Sequence, residues 1–260
     1  MEGTDTAADN RRTGEPGEAS RGGPTATVAR WAEVHRLAVA GREPEIARDV
    51  GAQVARVWLP TSRFADVEAL ARATLTLGPD AVALYHLGWA LSATGQPWEA
   101  LACYEQALHL FREAGDRGNE AAALNSIGQV YDGLSDRQQA LTHYQQVLPI
   151  AQEVGDRAGE AITLNNIGHV YDGLGDRQQA LTYYQQALPT LREVGDRAVE
   201  AVTRYNLAMI HRAAGDLDQA VGELEIVVDL DRQVEHPDLA SDTAELEQVR
   251  QERAQARTET

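Results

Sequence analysis

Residues Gly115 to Val194 are one 40-residue segment written twice. The first copy is GDRGNEAAALNSIGQVYDGLSDRQQALTHYQQVLPIAQEV and the second is GDRAGEAITLNNIGHVYDGLGDRQQALTYYQQALPTLREV, with 28 of 40 positions identical. A fixed period between about 20 and 50 residues marks a supersecondary unit that cannot bury its apolar face alone and therefore stacks on copies of itself. Such a chain grows in one dimension and does not close around one globular core. Two more copies flank the pair: DAVALYHLGWALSATGQPWEALACYEQALHLFREA over Asp80 to Ala114, and a divergent GDRAVEAVTRYNLAMIHRAAGDLDQAVGELEIVVDLDRQV over Gly195 to Val234.

Each copy divides into two helices. The break falls at Gly95, Ser135, Gly175 and Gly215, at intervals of 40 residues, and Asp136, Asp176 and Asp216 follow it in three copies. Gln139, Gln179 and Gln219 stand three positions later, which predicts a capping box: the carboxylate accepts an early backbone N–H and the amide reaches back. Between copies, Gly115, Gly155 and Gly195 predict a left-handed helix end, with Asp116, Asp156 or Asp196 opening the next helix. Loops this short force antiparallel neighbours. Pro149 and Pro189 fall late in second helices, where each removes a backbone bond and predicts a bend that sets superhelix curvature.

The flanks are less regular. Residues 1–26 carry almost no large apolar group and are read as a disordered tail. The 27–79 segment predicts three helices. The first has Val28, Trp31, Val34, Leu37 and Ala38 at helical spacing and stops at Gly41; the second starts at Pro44 and turns Ile46, Val50, Val54, Val57 and Trp58 inward as far as Pro60. The third begins after Thr61 or Ser62, carries Phe64, Val67, Leu70, Leu75 and Leu77, and ends at Gly78-Pro79. Residues 80–114, 115–154, 155–194 and 195–234 are then four repeats. In 235–260, Leu239, Leu246 and Val249 predict a short capping helix that frays into a tail.

Charge and missing residue types narrow the chemistry. The net charge is −17 and the pI about 4.8, which repels phosphate backbones and argues against nucleic acid and anionic membranes. A basic partner fits such a surface, as does plain solubility. All 23 basic residues are arginine, which excludes Schiff-base chemistry and the lysine-bearing P-loop. Cys103 is the single cysteine, so no intrachain disulfide forms, and it reads as a packing residue. The N-terminus has no apolar signal core and no run of about 18 apolar residues occurs, which predicts a soluble, cytoplasmic protein. The seven histidines show no metal-ligand spacing; His169 and Asp172, three apart, form a candidate pair on one helix face. No nucleophile recurs beside them, so the chain is expected to be no enzyme and to need no cofactor or metal.

Leu87-Gly88, Leu91, Gly95, Ala100, Tyr104 and Ala107 recur as Ile127-Gly128, Tyr131, Ala140 and Tyr144, and as Ile167-Gly168, Tyr171, Gly175, Ala180, Tyr184 and Ala187. This pattern resembles the tetratricopeptide repeat in its 40-residue form, similar to kinesin light chain and to arrays in bacterial signalling ATPases and regulators. The fourth copy departs, with Ala208, His211 and Leu224 for Gly, Tyr and Tyr. The resemblance implies an all-α, right-handed superhelical solenoid of antiparallel helix pairs. It implies that small residues let paired helices touch, that the tyrosines lock one repeat onto the next, and that residues 44–79 hold a degenerate repeat.

The resemblance also implies a groove lined by the first helices. Its positions are Tyr85, Trp89 and Ser92; Asn125, Gln129 and Asp132; Asn165, His169 and Asp172; and Tyr205, Met209 and Arg212. Asn125 and Asn165, one repeat apart, are expected to form a ladder that pairs with a peptide backbone or else bridges helices. Tyr85 and Trp89 either hold an apolar anchor or pack under the N-terminal helices. Asp132 and Asp172 suit a basic or free-amine ligand, and Arg212 is the only candidate for gripping a carboxylate. The expected function is a non-enzymatic scaffold binding a peptide or disordered protein segment. Alternatives are a sensor controlling a signalling ATPase or transcriptional regulator, and an end-to-end self-assembling homo-oligomer.

Overall fold

The computed structural model describes residues 24–258, and among them every regular element is helical. In chain order these are α1 (Pro24–Ala40), α2 (Pro44–Trp58), a 3-10 turn (Leu59–Thr61), α3 (Phe64–Leu75), α4 (Ala81–Ala93), α5 (Pro97–Ala114), α6 (Arg117–Gly133), α7 (Arg137–Val154), α8 (Arg157–Gly173), α9 (Arg177–Val194), α10 (Arg197–Ala213), α11 (Leu217–Val234) and α12 (Leu239–Thr258). Successive helices pack against one another along the whole series, as an all-α solenoid of helix pairs requires. Residues 1–23 of the expected disordered tail lie outside the described residues. Residues 24–26 belong to α1.

The turns repeat because one aspartate serves two helices. Gly115, Gly155 and Gly195 leave α5, α7 and α9 at φ of +67°, +71° and +73°. The next residue donates its N–H to the carbonyl five positions back: Asp116 to Phe111 (2.9 Å), Asp156 to Ala151 (2.8 Å) and Asp196 to Leu191 (3.0 Å). Its carboxylate then accepts the N–H three positions on, from Asn119 (3.1 Å), Gly159 (2.9 Å) and Val199 (3.1 Å). The break inside each repeat is built alike. Asp136, Asp176 and Asp216 donate to Tyr131, Tyr171 and His211, each at 2.9 Å, and accept from Gln139, Gln179 and Gln219. The capping box is therefore half made. The N–H that the glutamine amide was expected to meet is already used to close the preceding helix.

Close approach fixes how each pair packs. A methyl built on Gly128 would stand 2.6 Å from Cε1 of Tyr144; at Gly88 and Gly168 it would stand 2.8 Å from Cδ1 of Tyr104 and Tyr184. The tyrosine ring thus lies on the glycine of its own repeat. Tyr144 also shares an apolar cluster with Ile167 and Val170 of the next repeat, and Tyr184 with Leu207 and Ile210. The lock expected between repeats is accordingly also a lock within each one. In the fourth repeat Ala208 and Leu224 are both fully buried; the added methyl is matched by loss of the ring.

The N-terminal helices bury Val28, Ala38 and Val54 as expected, but not the rest of the predicted apolar faces. Val34, Leu37, Ile46 and Val57 are exposed, while His35 and Ala38 of α1 and Ala47, Gly51, Val54 and Ala55 of α2 are buried. Helix contact selects the small side chains here. A Cβ on Gly51 would come 3.2 Å from both the His35 ring and the Thr74 hydroxyl, which are themselves bonded at 2.8 Å. α7 and α9 run on through Pro149 and Pro189. The last helix is not short: α12 spans 20 residues. Leu246 and Val249 are buried, and Arg250, Arg253 and Arg257 pair with Glu225 and Asp218 of α11. The apolar stripe alone understated α12 because these charges hold much of its length.

Two substitutions test this reading. Gly128→Ala overpacks the Tyr144 ring and is expected to destabilise by about 1–3 kcal/mol. Adding Tyr144→Leu recovers part of the loss, a non-additivity read by urea titration of the single and double variants. Ser135 holds φ +63° where its register mates are glycine. Ser135→Gly is therefore expected to raise stability by up to about 1 kcal/mol, seen as a higher denaturation midpoint.

Candidate functional site

First helices α4, α6, α8 and α10 approach one another across repeats more closely than the second helices do. They therefore form the shorter, inner wall of the solenoid, and their outward register positions face a common groove. At the N-terminal end this wall holds a cavity of about 400 Å³. Tyr85, Trp89 and Ser92 come from α4, Asn125, Ser126 and Gln129 from α6, and Ile162 from α8. The Tyr85 hydroxyl is bonded to the Ser126 hydroxyl at 3.2 Å, which turns the ring toward the second repeat. Trp89 is 44% exposed. An adjoining hollow of about 190 Å³ shares Tyr85, Asn125 and Ile162 and reaches Thr163.

In the middle of the groove the amides bridge helices, and not in the expected pairing. Asn125 Oδ1 accepts from Asn166 Nδ2 at 3.1 Å, and Asn165 Oδ1 accepts from the Thr203 hydroxyl at 2.8 Å. No direct Asn125–Asn165 rung forms among the described residues. Asn165 is buried against α10, while Asn125 stays half-exposed. His169 Nδ1 meets Asp132 Oδ2 of the preceding repeat at 3.0 Å. The expected His169–Asp172 pair is thus replaced by one across repeats, since residue 132 occupies the register of Asp172. Among the described residues no side chain pairs with Asp172.

At the C-terminal end the groove positions are covered by the chain itself. Tyr205 and Met209 pack on the cluster that includes Leu246 and Val249 of α12. The Arg212 guanidinium is held by Glu245 and Glu252, both on α12. Glu252 is held below the ordinary carboxylate range by that Arg212 bond, against the opposing effect of burial. Arg212 is thus committed to α12 and not free to grip a ligand carboxylate.

Sequence reasoning missed Ile162 as a cavity wall. It also missed a ladder of carboxylates between repeats, buried at Glu120 and Glu200 and partly buried at Glu160. Glu120, Glu160 and Glu200 each sit at the seam between one repeat's second helix and the next repeat's first. Glu120 receives Arg112 (2.8 Å) and Arg117; Glu160 receives Gln152 (2.9 Å) and Arg157 (2.6 Å); Glu200 receives Arg192 (3.1 Å) and Arg204 (2.9 Å). Burial pushes the Glu120 carboxyl up, but Arg112 and Arg117 outweigh it and hold it below the usual range. The Glu that recurs three residues after each GDR was the available signal. No group of three His, Cys, Asp or Glu among the described residues could hold a metal ion, and no described helix is long and apolar enough to cross a membrane.

Family models described as tetratricopeptide repeats match residues 81–114, 102–153, 119–193 and 159–233, together more than half of the chain. A search of curated proteins returns no match. Among solved structures, BtubC (BKLC) from P. vanneervenii is similar at 19% identity and TM-score 0.59, covering 85% of this chain and 82% of its own. Aspartyl phosphate phosphatase F from Bacillus subtilis is similar at 14% identity and TM-score 0.68, covering 81% of this chain and 58% of its own. The quorum sensor NprR from B. thuringiensis, in its apo form, is similar at 17% identity and TM-score 0.64, covering 86% and 70%. At these identities the likeness is one of fold.

Arg212 ties the last first-helix to α12, so removing it should free one end of the chain. Arg212→Ala is expected to lower hydrogen-exchange protection of α12 amides by about tenfold or more while α4 to α8 keep theirs. Equal loss along the whole solenoid would contradict this local role.

Proposed function

The chain belongs to the tetratricopeptide-repeat family, and from that premise we propose that it is a non-catalytic interaction module working in the cytoplasm, with an extended peptide segment of another protein held along α4, α6 and α8. The observation that carries this reading is the Trp89 cavity. It joins an exposed indole, a tyrosine and an isoleucine to hydroxyl and amide groups, a mixture suited to an apolar anchor with a hydrogen-bonded backbone. The Asn125 amide remains half-exposed for a backbone partner. Asp172, without a paired side chain, and the net charge of −17 favour a basic segment or one presenting a free amine.

A second reading, regulation, draws on the fold shared with structures named a phosphatase and a quorum sensor. There the occupied groove would alter curvature and so control an effector. End-to-end self-assembly is less well supported, because α12 covers the last repeat and exposes mainly polar groups such as Ser241, Thr243, Glu247 and Gln248.

The test uses Trp89→Ala with Gln129→Ala, both exposed and therefore tolerated by the fold. A displayed library of random peptides is selected on the intact protein. Enrichment of sequences combining basic and large apolar residues, at least tenfold weaker on the double variant, is the expected outcome. Absence of enrichment, or equal enrichment on both proteins, would overturn the groove reading.

A further inference from the structure

The fourth repeat buries a carboxylate where its register mates bury hydrocarbon. Phe111, Ala151 and Leu191 stand at intervals of 40 residues, all in the core; the next member of the series is Asp231, 2% exposed. Its Oδ1 faces His236 Nδ1 at 4.0 Å. Its Oδ2 is sealed from solvent and meets no N–H donor; its polar neighbour is the Asp242 carboxyl, which can bond to it only when protonated. A buried carboxylate oxygen without a donor is costly unless a cation or proton meets it.

Asp231 lines a cavity of about 360 Å³ between α10, the end of α11 and the start of α12. One wall is Ala198, Ala201, Val202 and the Tyr205 ring; the other carries His236, Asp238, Ser241 and Asp242. Three carboxylates thus face one hollow with no arginine on its lining. Arg212, on the same helix as the Tyr205 wall, is already taken by Glu245 and Glu252. Asp242 is the group opposite Asp231. Burial, and then its contacts with Asp231, push its carboxyl up to about 6, with Asp238 raising it further and His236 opposing.

We infer that this cavity is a binding site for a primary ammonium group carried on a short apolar stem. The Asp242 carboxylate would receive the ammonium N–H groups first and, by turning aside, would expose to them the Asp231 oxygen now sealed beside it, while the alanine, valine and tyrosine wall would cover the methylenes. A guanidinium fits less well. Its fork takes both oxygens of one carboxylate, whereas Asp231 offers one, the other facing His236. A metal ion is disfavoured because no three potential ligands converge among the described residues. The stem and charge are common to a free alkyl diamine and to a lysine side chain of another protein. The cavity shares no residue with the Trp89 site, so this reading and the groove reading stand or fall separately.

Isothermal titration of the intact chain at pH 7.5 tests the site with 1,5-diaminopentane in one arm and the blocked tripeptide Ac-Ala-Lys-Ala-NH2 in another. Ac-Ala-Arg-Ala-NH2 and calcium chloride serve as comparison arms. Saturable binding in at least one ammonium arm is expected. The tighter arm identifies the source as free diamine or protein lysine. Asp242→Asn should weaken binding at least tenfold. Ala198→Phe, at the exposed rim and leaving the carboxylates in place, should do the same by filling the hollow. Moving from pH 7.5 to 5.0 protonates Asp242 and should weaken binding about tenfold. Thermal melts of both variants establish that they fold. The inference is overturned if neither ammonium probe binds, if Asp231 and Asp242 merely share a proton so that Asp242→Asn leaves binding unchanged, or if the arginine peptide or calcium binds more tightly than both.

Discussion

Everything in this solenoid depends on one backbone economy: a single aspartate ends one helix and begins the next. Its N–H closes the outgoing helix onto the carbonyl five residues back, and its carboxylate takes an orphan N–H of the incoming helix. Both needs arise because helix ends leave unpaired groups. Meeting them at one residue shortens the loop until the helices can only run antiparallel. The same device at Asp116, Asp136, Asp156, Asp176, Asp196 and Asp216 produces the same turn each time. Identical turns place the glycine of one helix under the tyrosine of its partner, and so the packing repeats because the turns do.

The fourth repeat keeps those turns but changes what they enclose. Leu84, Leu124 and Leu164 are succeeded by Arg204, buried and bonded to Glu200 and Glu223. Phe111, Ala151 and Leu191 are succeeded by Asp231. Ions replace hydrocarbon at two core positions, and α12 covers the result with further charge pairs. Buried ion pairs add less stability than the apolar groups they displace. What they add is selectivity of contact: Arg212 meets Glu245 and Glu252, and Asp218 meets Arg253 and Arg257, so α12 is defined by charge more than by its thin apolar stripe. The repeat that departs from the pattern is a junction with its own chemistry.

The parts legible in the sequence were those set by local geometry and repetition. The helix breaks at Gly95, Gly175 and Gly215, the aspartate caps and the Gly–Tyr register are each written in a few adjacent residues and then repeated, and family-model matches over residues 81–233 cover the same repeats. The parts that were not legible depend on which neighbour a side chain finds. Val34 and Leu37 promised a core face by size, yet both are exposed; Val28 and Ala38 do face inward as expected, joined by His35, whose ring fits against Gly51 of α2. His169 chose Asp132 over Asp172, and Asn125 chose Asn166 over Asn165, since neighbouring first helices bring together residues 37 and 41 apart and not the 40 of a simple ladder. Glu120, Glu160 and Glu200 were visible as a recurrence, but only the seam between repeats gives them partners.

These differences make the inner wall asymmetric along its length. Toward α4 it presents an open hollow with an exposed indole; in the middle, paired amides and the unpaired Asp172; at α10, side chains already engaged by α12. An occupant lying along it would meet an apolar end, a hydrogen-bonding middle and a closed end. Such a gradient would add to the polarity that a stack of repeats already has, by fixing which end of an extended chain lies at α4. The near-identity of the two central repeats supplies length, and the divergence of the outer ones supplies direction. The departures from the repeat at both ends are therefore where selectivity for an occupant and its orientation would reside.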